Sequence, residues 1–340
     1  METRKLQCVG GGTYTVSIPK GWATDHGLQP STEVHLYTHS DGSMVVRPSH
    51  RDGENLTSAT VELAGDSPHL AERAVRAAYA AGFETVTLSH VDAFTDEQRR
   101  HVDRVARRLT GTAVEGEGPD EVVLRSLLDA SDVSVRQTVV QVRFTALSIY
   151  RRATEALVEA EGGVADRLED RREEAERLAA LLDRQANRSL VALSTVDELG
   201  TSRPTLADHD EAASLLAAVA GDAVTVAAAA EGIETPLPAV VTEEFGAAVD
   251  ATRRSIEVAT EALLDGASVT EAAEALDHSE AAADRVAAVD EALREGRTGV
   301  EGHATVVSLT RALDAVDRTA GRAADLAEVT LRAATREDDR

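Results

Sequence analysis

From Ser131 onward apolar residues recur at steps of four and three, a rhythm that restricts this segment to long, packed helices. Val135, Val139, Val142, Ala146, Ile149, Ala153 and Ala156 mark one seam. Val306, Leu309, Leu313, Val316, Ala320, Ala323 and Ala327 mark another. Stripes of this width are buried by neighbouring helices, as in an antiparallel bundle. Breakers at Gly162-Gly163, Gly200 to Pro204, Thr235 to Pro238, Gly266 and Gly296 to Gly302 predict six helices. They fall into two sets of three. ATEAL occurs at 153–157 and again at 259–263, and AERLAAL (175–181) parallels ADRVAAV (283–289). Gly221, Ala223, Val226 and Ala227 match Gly321, Ala323, Leu326 and Ala327 at a shift of 100. The shared order predicts a duplicated three-helix bundle over 131–235 and 238–335.

A chain of 340 residues leaves room for further domains ahead of these helices. Arg4–Val9 and Tyr14–Ile18 alternate as strands around Gly10-Gly11-Gly12, and Pro19 stops the second. Lys20–Leu28 reads as a short helix closed by Gly27. Val34–Thr38 and Ser43–Arg47 follow as strands joined by a hairpin turn at Asp41-Gly42. The pattern over 1–50 is ββαββ. A sheet that small cannot bury its own apolar face, so dimerisation is expected. Cys8, the single cysteine, falls in a strand and is expected to be a small core residue.

Residues 50–60 are polar and linker-like, and a small α+β unit is expected over 54–130. Its elements are a strand at Thr60–Leu63, a helix at Pro68–Ala81, a strand at Glu84–Leu88 and a helix at Thr95–Leu109. Thr112–Val114 and Glu121–Arg125 close it as a hairpin. His90, Asp92 and His101 have no recognisable metal-ligand spacing and read as surface residues. The ten histidines are scattered singly, and no nucleophile constellation or phosphate loop occurs, so nothing argues for an enzyme.

Charge separates the two ends of the chain. Sixty acidic residues against 35 basic ones give a net charge of −25, yet residues 1–51 carry five basic groups and four acidic ones. Lys5 and Lys20, the only lysines, both lie there. Acid excess with lysine depletion suits molar salt, where a Debye length of about 3 Å screens self-repulsion; an ordinary acidic cytoplasmic protein is the plainer alternative. With no run of 18 apolar residues and no leader-like start, a soluble cytoplasmic protein without membrane insertion is expected.

Two resemblances sharpen these readings. GTYTVSIPKGWATDHGL is similar to the SpoVT-AbrB (AbrB/MazE) signature, a strand ending in I-P-K followed by a short helix. The resemblance spans about residues 3–48 and implies a swapped-hairpin β-barrel homodimer that binds DNA. By position it assigns the contacts to Arg4, Lys5, Thr13 and Tyr14, then Lys20 and Arg47. Ser31 departs from the pattern, standing where the family often has a turn glycine. A barrel that only dimerises, without touching nucleic acid, is the other reading of the same residues.

In the helical half, Val316–Glu328 (VDRTAGRAADLAE) resembles the third-helix motif of the PhoU family, whose architecture is a duplicated three-helix bundle. The family's metal-associated Asp-His pair falls on Gly321-Arg322 here, and on Gly221-Asp222 in the first repeat. Its second-helix carboxylate pair survives as Glu280 and Asp284, whereas the first repeat has Arg172 ahead of Glu176. Glu280 and Asp284 share a helix face and suit a divalent metal, or else a solvated acidic face; no other cofactor is implied. Together the resemblances imply a regulator of phosphate uptake of haloarchaeal type, binding promoter DNA and meeting a phosphate-transporter ATPase or a signalling protein. A PhoU-like interaction regulator that does not bind DNA, and an antitoxin-like repressor, are the alternatives.

Overall fold

The computed structural model describes residues 3–39, 42–48, 56–65 and 67–337. At the N-terminus β1 (Gln7–Val9) pairs antiparallel with β2 (Thr13–Thr15) across a 3-10 turn at Gly10–Gly12. Then α1 (Lys20–Asp25) ends before Gly27, whose φ of +67° lies in the left-handed region open to glycine. A second antiparallel pair follows, β3 (His35–Thr38) with β4 (Met44–Arg47). The order ββαββ is as expected, but among the described residues the strands form two separate two-stranded ribbons rather than a closed barrel. Asp41 of the hairpin turn and most of the linker (residues 49–55) lie outside the described residues.

Two local details bear on the sequence. Cys8 is exposed rather than in a core, because a two-stranded ribbon has no second layer to cover it. Ser31, in the turn before β3, has φ +75°, so the turn does take the conformation for which glycine is suited. Replacing Ser31 with glycine is expected to stabilise the chain by about 0.5–1 kcal/mol, read as a raised urea midpoint. An unchanged or lowered midpoint would show that the serine is not strained.

The middle unit is a four-stranded sheet with two helices. Its strands are β5 (Ser58–Leu63), β6 (Thr85–His90), β7 (Thr112–Glu117) and β8 (Glu121–Ser126), in the order β5-β6-β8-β7. β5 and β6 are parallel, and α2 (Pro68–Ala80) makes the crossover that parallel pairing requires. α3 (Asp96–Arg108) opens on a reciprocal capping box. Thr95 Oγ1 accepts from the Gln98 amide at 3.2 Å, and Gln98 Oε1 accepts from the Thr95 amide at 2.9 Å. Alternate residues of the strands face the helices, giving a core of Leu63, Val75, Leu88, Val102, Val105, Val122 and Leu124. His90 joins that layer rather than the surface. It accepts from the Asp92 amide at Nδ1 (3.1 Å) and reaches the Gly65 carbonyl through Nε2 (3.2 Å).

The remainder is helical: α4 (Val135–Val158), α5 (Ala165–Ser189), a short α6 (Ser194–Glu198), α7 (Arg203–Ala230), α8 (Ala239–Asp265), α9 (Val269–Arg294) and α10 (His303–Glu337). α4, α5 and α7 pack on one another, and so do α8, α9 and α10. The seam residues Val135 to Ala156 are all buried, and in α10 every seam residue is buried except the half-buried Val306. α7 and α10 pack closely and join the two sets. α7 is long and apolar enough, by length and composition, to cross a membrane, yet 61% of its most apolar window is buried inside the fold. That burial is what a helix packed against α4, α5 and α10 must show.

Arg184 ties the middle unit to the bundle. It is 3% exposed, donates to the carbonyls of Tyr79 (2.7 Å) and Phe83 (2.8 Å), and lies over the Tyr79 ring. One turn on, Arg188 donates to Gly82 O at 3.0 Å and to Glu84 at 2.7 Å. A guanidinium buried this deeply is held by carbonyl acceptors and a ring face together.

Candidate nucleic-acid interface

The first ribbon has two unlike faces. Register pairs Cys8 with Tyr14 and Val9 with Thr13, so Cys8 and Tyr14 share one side while Gln7, Val9, Thr13 and Thr15 share the other. Leu6, Val16 and Ile18 flank the ribbon and are exposed, and Tyr14 is 73% exposed. The second ribbon likewise leaves Leu36 and Met44 exposed. So much apolar surface on fewer than fifty residues is more than isolated surface side chains account for.

The candidate contact residues are distributed over this module. Arg4 and Lys5 precede β1, Thr13 and Tyr14 begin β2, and all four are exposed. Lys20, also exposed, is the first residue of α1. A cation there opposes the helix macrodipole, a placement that local helix stability does not favour. Arg47 sits apart from these on the second ribbon, half-buried, its guanidinium 5.7 Å from the centre of the Tyr37 ring. The structure thus groups Arg4, Lys5, Thr13 and Tyr14 on one ribbon, and places Lys20 and Arg47 on other elements.

His39, at the end of the second ribbon, had no signal in the sequence. Its ring is buried, and Nδ1 lies 2.9 Å from Asp197 Oδ2 on α6. This contact joins the N-terminal module to the acidic helical body across 158 positions of sequence.

The positions aligned with the PhoU motif hold ion clusters. Asp222 on α7, 6% exposed, accepts from Nε of Arg318 at 2.9 Å and of Arg322 at 2.6 Å on α10. Asp208, also on α7 and 4% exposed, pairs with Arg332 and Arg336. The two aspartates lie close to four helical turns apart, so both face α10. Arg172 is clasped by Glu169 and Glu176, and its hydrogen bond to Glu169, with the charges of Glu176 and Glu173, raises the pKa of its guanidinium. On α7, burial together with Asp183 and Glu211 pushes the Asp210 carboxyl up to about 7. Glu280 and Asp284 are both exposed on α9.

A different trio brings ligand atoms together. His69 and Glu72 on α2 and His101 on α3 place theirs within 4.8 Å of one another. Sequence reasoning missed it by looking for paired histidines. The available signal was His69 and Glu72 at helical i, i+3 spacing, with the third member supplied by tertiary packing.

Residues 9–54 match the family model described as "Antidote-toxin recognition MazE, bacterial antitoxin". Comparison with curated proteins and with solved structures gives no match. The family match stops short of the middle unit and the helices. The N-terminal module is therefore similar to MazE-type antitoxin domains and is carried on a mostly helical body.

Proposed function

We propose that this chain is a DNA-binding regulator in which two copies join their N-terminal modules and present Arg4, Lys5, Thr13 and Tyr14 to promoter DNA. The observation that carries the reading is the first ribbon, where exposed cationic and polar side chains adjoin an uncovered apolar face within a module similar to MazE-type antitoxin domains. A second copy would bury that face and align two basic edges, which a single ribbon cannot do. Phosphate contacts from such edges fix register and orientation, while base edges and DNA shape supply specificity. The acidic helical body would face away from the polyanion and respond to state by meeting a partner. We read that body as PhoU-like, which makes phosphate uptake the regulated process and a transporter ATPase or signalling protein the partner. Support for this comes from the repeat and from the third-helix motif quoted above.

Fluorescence anisotropy with promoter DNA of phosphate-transport genes tests the reading. The Arg4→Ala/Lys5→Ala chain should bind at least about 10-fold more weakly than wild type and show a shallower dependence on salt. Equal, weak binding by both chains would remove DNA from the reading and leave a dimerisation module on an interaction protein.

The description of the matched family favours one second reading, an antitoxin-like repressor that neutralises a toxin and binds its own promoter. Co-expression with the product of an adjacent gene, and relief of growth arrest by this chain, is the result that reading requires.

A further inference from the structure

We propose that His69, Glu72 and His101 form a binding site for a divalent transition metal of the zinc class, on the helical layer of the middle unit. His69 and Glu72 stand at i, i+3 near the start of α2, on one helix face, and His101 reaches them from α3. The two imidazole rings meet edge to face, with centroids 5.5 Å apart and planes at 80°. Glu72 Oε2 lies 3.6 Å from His101 Nδ1. Ligands around a tetrahedral zinc, each about 2.0–2.1 Å from the ion, lie roughly 3.3 Å apart. That pair is thus nearly at ligand spacing, and the full trio closes by rotation of side chains.

Two further observations point to an ion rather than to a chance group. His101 Nδ1 is buried and has no hydrogen-bond partner, although buried ring nitrogens are ordinarily satisfied. A metal between it and Glu72 would satisfy both. The Glu72 carboxylate is also oriented by a neighbour on its own helix, Arg76. Arg76 donates from Nε and Nη2 to Oε1 (3.3 Å each), which leaves Oε2 for coordination. An outer partner of this kind fixes ligand orientation.

The donor set selects the ion. Two imidazoles and one carboxylate suit zinc, cobalt, nickel or copper, whereas magnesium and calcium prefer oxygen alone. Three protein ligands leave a position for water or an exchangeable group. This site is separate from the exposed Glu280 and Asp284, and it does not depend on the DNA-binding reading.

The test uses the full chain, with Co2+ as a coloured probe and Zn2+ for stoichiometry by calorimetry, in excess Mg2+ to fill oxygen-only acidic sites. The expected result is one site per chain, with a visible cobalt spectrum showing nitrogen ligation. His69→Ala should weaken Co2+ by about 100-fold or more, and His101→Ala should do the same. Because His69 is exposed, its replacement leaves the fold intact, so loss there reports coordination rather than unfolding. Glu280→Gln/Asp284→Asn should leave Co2+ affinity unchanged. A wild-type chain without the cobalt band, or a band that survives in His69→Ala/His101→Ala, overturns the site.

Discussion

Changing Arg318 and Arg322 together to alanine is expected to lower stability by about 3 kcal/mol, more than changing Asp222, the residue both of them hold. The asymmetry follows from burial. The Asp222 side chain is 7% exposed, whereas those of Arg318 and Arg322 are 48% and 32% exposed. Removing both guanidiniums strands an anion where water cannot reach it, and an uncompensated buried charge typically costs 3–5 kcal/mol. Removing Asp222 instead leaves two guanidiniums able to turn outward and hydrate, at about 1–2 kcal/mol. Either arginine alone should cost about 1 kcal/mol, since the other still satisfies the carboxylate. The three effects are therefore strongly non-additive, as expected for groups sharing one partner. Urea denaturation of the two single variants, the double variant and Asp222→Ala checks the whole set. Equal costs for Asp222→Ala and the arginine pair would mean that Asp222 is not isolated from water. Adding Asp222→Asn to the double variant should recover most of the loss, because no stranded charge remains.

This cluster also marks what sequence could and could not supply. The helices from Val135 on were legible because an amphipathic stripe repeats every three to four residues over about six turns, and Gly or Pro punctuates its ends. The middle strands were legible from alternation, and the start of α3 from Thr95 with Gln98 three positions on. The short α6 was not, since five residues just ahead of the Gly200 to Pro204 break carry no period. Nor was any pairing that depends on which helices meet. Asp222 with Arg318 and with Arg322, His39 with Asp197, and His101 with Glu72 join residues separated by 96, 100, 158 and 29 positions. Local pattern fixes which face a residue occupies, not what stands opposite it. The same limit explains His90, which reads as a polar strand end and is enclosed by the loops that follow β5 and β6.

Cys8→Asp is expected to abolish self-association of the N-terminal module, raising the dimer dissociation constant by about 100-fold or more, while Val9→Asp has a much smaller effect. The two residues are neighbours in β1, both exposed in the single chain, and register sends them to opposite faces of the ribbon. On a free monomer neither change should matter, because substitutions at solvated sites stay within about 0.5 kcal/mol. Only a covering partner distinguishes them. On the Cys8 side Leu6, Val16 and Ile18 continue the apolar surface, and burying each of these three against a second copy would contribute about 1.5–3 kcal/mol, with Tyr14 left at the rim toward DNA. A carboxylate in the middle of that contact must be desolvated without a partner, which costs several kcal/mol and splits the pair. The Val9 side carries Gln7, Thr13 and Thr15, where a charge remains in water. Sedimentation across a concentration series separates the cases, and DNA binding should fall with the dimer, since a lone ribbon presents half the phosphate contacts. If both variants sediment as wild type, the Cys8 face is not the surface that joins two copies, and the proposed arrangement of Arg4 and Lys5 on DNA falls with it.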